Sequence, residues 1–377
     1  MSIRKKIYRL WWYVKLCFFT IKYRLQYRPK NQVKYLFLSW HRDENTVLRL
    51  ELDFKKTESM GGDVWADQFL PIFDRKLNIQ NEFVAQCMDR VMELINPEEL
   101  HTLKQKVLYF IAFSHITRLL KTTRYIIVGS RSIRFTKLLA PYIEKKYPNV
   151  KLIVQFINTV QTEDVVKPDD YSNFSNCILY SFDPKDVEEY GMKKFNWYID
   201  DKRLLEYAQI HPKYDVSFIG NDKGRVLELI RLSDIFDRYG ITYDYYVLFK
   251  EGLESKMYRN KRTKGFKYGE VSLSTIEYQK RSCESKAILE IMQDGQVGTT
   301  LRAAESIFLQ RKLITDNQYI VNEAFYNKDN VFILGKDKIS GLKKFINTPY
   351  RVLSKEITDQ YTYEYMLRQL DGVDSSL

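Results

Sequence analysis

Cysteine is scarce: Cys17, Cys87, Cys177 and Cys283 are the only four in 377 residues, and they form neither a CxxC pair nor a Cys/His cluster. This excludes a disulfide scaffold and a zinc finger or ribbon, and it fits a reducing cytoplasm. Histidine is as sparse, and His101, His115 and His211 lack metal-ligand spacing. No apolar run is long enough to cross a bilayer. A secretory signal is not expected either, because Lys15 and Lys22 interrupt the N-terminal apolar stretch and no small-residue cleavage site follows. Short repeats, low-complexity linkers, the Gly-x-Gly-x-x-Gly fingerprint and the Gly-Lys-Ser/Thr of a P-loop are also missing.

What is present is a large stock of core-forming residues, 45% hydrophobic and 15% aromatic, in a chain whose length suits two domains. The net charge of +12 fits attraction to nucleic acid, anionic lipid or phosphorylated small molecules. Its distribution favours lipid for part of it. Residues 1–28 carry Arg4, Lys5, Lys6, Arg9, Lys15, Lys22, Arg24 and Arg28 among Trp11, Trp12, Phe18 and Phe19, with no acidic residue between. A basic helix with one aromatic and aliphatic side lies in the interface of an anionic membrane, or else packs on a core and solvates its basic face. No helix-turn-helix, zinc-finger or RNA-recognition signature supports a nucleic-acid partner.

From Val33 onward strand and helix patterns alternate. Strands are expected at 35–40, 63–65, 124–128, 150–157 and 177–180, and again at 214–219, 243–249, 287–291 and 312–315, with helices between them. Asn96-Pro97 is expected to open a helix, and Asp183 to cap one beginning at Pro184. Such alternation makes parallel sheets. The pattern weakens before His211-Pro212. The expected organisation is therefore a membrane-associating segment 1–32, a first parallel-sheet domain 33–208, a second 209–345 and a helical segment 346–377 that packs back on the N-terminal domain.

The block Ser285 to Glu305 delivers a strand into a loop with Gly295 and Gly298 that opens a helix at Thr299 and Thr300. Glycine permits close backbone approach, and free N–H groups at a helix start suit a diphosphate. Arg302 and Glu305 share a helical face, and either pair with one another or offer a phosphate donor and a ribose acceptor. Gly220, Lys223 and Arg225 form a second glycine-containing basic loop after a strand, which reads either as a phosphate contact or as solvated surface charge.

Together with Arg311-Lys312-Leu313-Ile314-Thr315-Asp316-Asn317, this block resembles the donor-domain signature of bacterial GT-B glycosyltransferases of lipopolysaccharide and capsular polysaccharide assembly. That signature runs Gly-x-Thr-x-Arg, then Glu, then Lys-Leu-Ile-Thr-x-Asn. The resemblance implies a GT-B-like α/β fold with two Rossmann-like, doubly wound parallel-sheet domains facing a central cleft. It also implies a nucleotide-sugar donor with no further cofactor or metal, and a ribose contact for Glu305. Glu305 lies about a turn later than in the commonest pattern.

In the first half, Ser130, Arg131, Asn158 and Asp183 follow predicted strands and are expected to line the acceptor side of the cleft, Asp183 alternatively serving only as a helix cap. His41, Asp43 and Glu44, after the first strand, are the candidates for a base. Asp169-Asp170 and Asp200-Asp201 have only a superficial likeness to a metal-binding Asp-x-Asp. The expected protein is a transferase, cytoplasmic and peripheral on the inner face of the cell membrane. It moves a sugar from a nucleotide sugar to a glycan or lipid-linked acceptor; a noncatalytic scaffold with the same pocket is the alternative.

Overall fold

The computed structural model describes residues 34–39, 62–66, 94–96, 99, 101–117, 119–130, 133–162, 167–199, 201–249, 264–269 and 273–374, with 11, 14, 17, 18 and 21. The chain divides into two compact units, Met1–Ser181 and Phe182–Leu377.

The first unit contains β1 (Tyr35–Ser39), β2 (Gly62–Ala66), α1 (Leu103–Thr117), β3 (Tyr125–Gly129), α2 (Ile133–Lys146), β4 (Lys151–Phe156) and β5 (Cys177–Ser181). The strands pair in parallel in the order β2-β1-β3-β4-β5. Ile126, Ile127 and Val128 of β3 and Leu152 to Val154 of β4 are almost fully buried, as strands covered on both faces must be. Of the helix start expected at Asn96-Pro97, residues 97 and 98 lie outside the described residues; Glu99 N–H donates to Asn96 O (3.2 Å) in a tight turn, and α1 itself runs from Leu103. Gln105 N–H donates to Thr102 Oγ1 (3.2 Å), while the Gln105 side chain donates to Leu94 O (3.0 Å) and accepts from Asn96 N–H (2.9 Å). Gln105 of α1 thus ties down both Leu94 and Asn96.

The second unit contains α3 (Pro184–Tyr190), β6 (Lys193–Lys194), α4 (Asp201–Tyr207), β7 (Tyr214–Asn221), α5 (Val226–Arg238), β8 (Tyr243–Leu248), β9 (Phe266–Gly269) and α6 (Thr275–Cys283). It continues with β10 (Ser285–Glu290), α7 (Leu301–Leu309), β11 (Lys312–Thr315), β12 (Val331–Ile333), α8 (Leu342–Asn347), α9 (Lys355–Asp359) and α10 (Tyr363–Asp374). Its six-stranded sheet is ordered β12-β11-β10-β7-β8-β9, with every pair parallel. The order runs outward in both directions from the β7–β10 pair, so the topology reverses there. Alternate residues of β10 serve opposite faces: Ala287 and Leu289 join Phe218, Leu229 and Phe236, whereas Ile288 joins Ala303, Phe308 and Tyr361.

Two differences from the sequence reading concern boundaries. The edge strands β9 and β12 have four and three residues, too few to show a period, and exist through their pairing with β8 and β11. The division falls at Ser181/Phe182 rather than 208/209. Leu204 is buried with Tyr361, Ile199 N–H donates to Tyr361 O (2.9 Å), and the Tyr198 and Tyr363 rings lie 4.5 Å apart. Residues 195–199 and 201–210 and the C-terminal helices therefore complete one core, and 346–374 packs inside the second unit.

Asp215, at the start of β7, anchors α8 to the sheet. It accepts from Lys286 (2.9 Å), Lys343 (2.7 Å) and Thr242 N–H (2.9 Å). Burial pushes its carboxyl up, but the bonds from Lys343, Thr242 and Lys286 outweigh this and hold its pKa at about 2. A depressed carboxyl stabilises the fold above its ordinary value of 3.8, and the contribution disappears as pH falls through about 2. Asp215→Asn is expected to cost about 2 kcal/mol at pH 7. In urea unfolding, the gap between variant and parent should narrow as pH is lowered toward 2.

Candidate functional site

Ligands of doubly wound sheets bind beyond the carboxyl ends of the strands where their order reverses. In the second unit this is the end of β7 and β10, and the loops leaving them carry most of the expected donor residues. After β7, Asp222 Oδ1 accepts from Val226 N–H (2.8 Å) to start α5. Lys223 and Gly224 both have left-handed backbone, with φ of 46° and 82°. This turns Lys223 Nζ across to Gln293 Oε1 (3.1 Å), joining the β7 loop to the β10 loop.

Gly220 is required by a close approach. A Cβ there would lie 2.8 Å from an Arg302 guanidinium nitrogen. Without one, Arg302 donates to Ile219 O (2.6 Å) and lies over the Phe218 ring, 5.0 Å from its centre. Arg225 belongs to the same electrostatic group. Burial, and then repulsion from Arg302, push its guanidinium down to about 10, while Glu290, Asp316 and Asp222 oppose the shift. Among the described residues, Arg225 Nε has no hydrogen-bond partner. Two like charges thus meet where the topology reverses.

The β10 loop is built over Glu290, which is fully buried. Thr300 Oγ1 and Thr315 Oγ1 (2.6 Å) donate to its two oxygens. Burial pushes its pKa up and these hydroxyls pull it back, with a net upward shift. Asp316 Oδ1 accepts from Met292 N–H (2.8 Å), and Asn317 Nδ2 donates to Val297 O (3.0 Å), so the end of β11 grips the loop. Thr300 is the N-cap of α7 and accepts from Ala303 N–H (3.3 Å).

Of the amides expected to form a phosphate cradle at Gly298, Thr299 and Thr300, the first is already engaged within the protein. Asp183 caps α3 by accepting from Lys185 N–H (2.9 Å), and its other oxygen accepts from Val297 N–H (2.8 Å) and Gly298 N–H (2.9 Å). The Gly298 amide is therefore committed. A Cβ at Gly298 would meet Phe182 O at 2.6 Å, so its lack of a side chain serves this packing. Among the described residues, the amides of Thr299, Thr300, Leu301 and Arg302 have no acceptor. Thr299 Oγ1 is buried and without a partner on the same terms.

Arg302 and Glu305 form no ion pair with each other: Arg302 reaches Ile219 O, while Glu305, 2% exposed, accepts from Gln279 Nε2 (3.1 Å) through Oε1. Glu305 Oε2 and Gln279 Oε1 have no partner among the described residues. Tyr278 stands beside them, its hydroxyl pushed up by burial and then by Glu305. Gln279, Tyr278, Asp316 and Glu290 were missed in the sequence. For Glu290 there was a signal, a carboxylate inside the apolar run Ala287-Ile-Leu-Glu-Ile291.

In the first unit, the strand order reverses between β1 and β3, and β3 leads directly to Ser130. Ser130 is buried, its carbonyl accepts from Tyr171 (3.2 Å), and its hydroxyl has no partner among the described residues. Asn158 is half-buried beyond β4. His41, Asp43, Glu44 and Arg131 lie outside the described residues. Asp183 serves as the helix cap that was its alternative reading: it is 1% exposed and falls in the second unit, both oxygens engaged. Asp170 forms an ion pair with Lys137 (2.6 Å), and among the described residues no group of three metal-ligating side chains converges.

No protein-family profile matches the chain, and no curated protein matches it. Solved structures do. The Anabaena protein HepE, in complex with UDP and glucose, is 10% identical, with a TM-score of 0.53 over 92% of this chain and 100% of that one. A glycosyltransferase from Rickettsia africae ESF-5 is 11% identical, with a TM-score of 0.50 over 91% of this chain and 98% of that one. The likeness extends over both units and agrees with the two parallel sheets, so this chain has the two-domain α/β fold of the GT-B type.

Proposed function

We propose that the protein is a glycosyltransferase that takes a sugar from a nucleotide-sugar donor, whose diphosphate sits at the start of α7 between Arg225 and Arg302. The observation that carries this is the paired guanidinium charge beside four amides that have no acceptor among the described residues. An anion relieves the repulsion and satisfies the helix start at once. The same groups stabilise charge on the departing nucleotide, which is how such a site accelerates transfer. The ribose contact is assigned to Glu305, which lies on α7 one turn after Arg302. A fold shared with a protein that holds UDP and glucose adds support.

The acceptor, a glycan or lipid-linked sugar in surface polysaccharide synthesis, is assigned to the first unit near Ser130, Arg131 and Asn158. His41, Asp43 and Glu44 are the residues in which its base is sought. The deciding experiment titrates UDP and UDP-glucose calorimetrically and by thermal shift, then follows transfer of labelled sugar. Saturable binding with a raised melting temperature is expected. If a panel of nucleoside diphosphates and their sugars leaves both readouts flat, the donor assignment is wrong.

The protein is further placed on the inner face of an anionic cell membrane through its N-terminal segment. Residues 11, 14, 17, 18 and 21 are helical, and Trp11, Val14, Phe18 and Ile21, at helical spacing, are 46%, 61%, 63% and 47% exposed. Exposed apolar side chains in a segment with eight lysines and arginines and no acid suit the headgroup boundary. Sedimentation with phosphatidylglycerol vesicles but not phosphatidylcholine vesicles is expected, weakening with salt. Trp11→Glu together with Phe18→Glu should abolish it; retention by that variant would exclude this surface.

A further inference from the structure

We infer that Asp183 is a built-in anion that positions the donor loop: its carboxylate fills the two-amide nest of Val297 and Gly298, and so presents the next amides, Thr299 to Arg302, to the diphosphate. This rests on the donor reading above and adds a positioning residue to it. The geometry leaves little freedom. One oxygen accepts from both Val297 N–H (2.8 Å) and Gly298 N–H (2.9 Å), and the other accepts from Lys185 N–H (2.9 Å). Lys185 Nζ returns to Gly295 O (3.2 Å), so the segment after Phe182 clasps the loop from both of its ends.

Two consecutive amides on one acceptor make the kind of concavity that also binds phosphate oxygens. An empty nest would therefore compete for the donor three residues before the start of α7, away from Arg225 and Arg302. Asp183 removes that alternative. The contact is dry, since Asp183 is 1% exposed and Gly298 packs so closely that a Cβ would lie 2.7 Å from Asp183 Cα. A charge-assisted bond in such a place holds the loop more firmly than an amide side chain could.

The test removes the carboxylate and returns it as a small molecule. Asp183→Ala leaves the nest vacant, and Asp183→Asn fills it with a side chain that brings no charge. The full-length protein and both variants are titrated with UDP, with and without sodium formate, sodium chloride serving as the ionic control. Asp183→Ala is expected to bind UDP at least tenfold more weakly, and formate to recover at least threefold of the loss where chloride does not. Asp183→Asn should be weakened without a formate response. UDP affinity unchanged in Asp183→Ala, or lost with no response to formate, would overturn the inference. If the parent protein itself binds no nucleotide, the donor reading fails separately. The nest is then judged by melting temperature: formate should raise that of Asp183→Ala and not that of the parent, and an equal response in both would reject it.

Discussion

Arg311→Met is expected to lower stability by about 4 kcal/mol, read as a shift of the urea midpoint, although the residue lies outside the proposed donor site. Arg311 is 7% exposed. Its guanidinium donates to Cys283 O (2.9 Å), Ile210 O (2.6 Å), Ala208 O (3.2 Å) and Leu309 O (3.3 Å). Cys283 and Leu309 are the last residues of α6 and α7, and Ala208 and Ile210 follow the end of α4. Helix ends leave carbonyls without intrahelical partners and carry partial negative charge. One planar fork thus satisfies three helix ends that converge below the sheet. Burial pushes the guanidinium pKa down, which is the cost of placing a charge there. Methionine fills the volume but leaves the carbonyls bare. Arg311→Lys should recover less than half of the loss, because an ammonium cannot span the same acceptors. A loss below about 1 kcal/mol for the methionine variant would show that these bonds are replaced by water.

Arg225→Ala should weaken UDP binding about thirtyfold, and the double replacement with Arg302→Ala several hundredfold, since each guanidinium–phosphate bond contributes roughly 1.5–3 kcal/mol. The two should differ in the ligand-free protein. Arg225 is half-buried, repelled by Arg302 and has no partner for Nε among the described residues, so its removal should leave the melting temperature unchanged or slightly higher. Arg302 also bonds Ile219 O and covers the Phe218 ring, so Arg302→Ala should lower it. Calorimetric titration and thermal unfolding on the same samples separate these effects. A stabilising Arg225 that leaves UDP affinity unaltered would make this pair a structural element instead of a binding one.

Much of the second unit was legible in the sequence because buried parallel strands are continuous apolar runs. The runs at 214, 243, 287 and 312 all appear as strands within a few residues of their expected ends. β9 and β12 were not legible, since three or four residues carry no period and only the neighbouring strand gives them conformation. The same holds for 195–210, whose apolar residues acquire a pattern only when Tyr361 and Leu204 meet. At the site, residue types were readable but partners were not. Arg302 and Glu305 sit on one helical face, yet their partners are Ile219 and Gln279, in other elements.

By itself, the sequence determined the parallel α/β character, the glycine-containing loop that starts α7, and the basic N-terminal segment with its aromatics, because each depends on neighbours along the chain. Tertiary structure alone decided that the topology reverses between β7 and β10 and that Glu290 holds Thr300 and Thr315. It also decided that the Gly298 amide belongs to Asp183. The physical reason is distance in sequence: Asp183 and Gly298 are brought together by the packing of the second unit, and a side chain's role as ligand contact or internal anchor depends on which distant donor reaches it first.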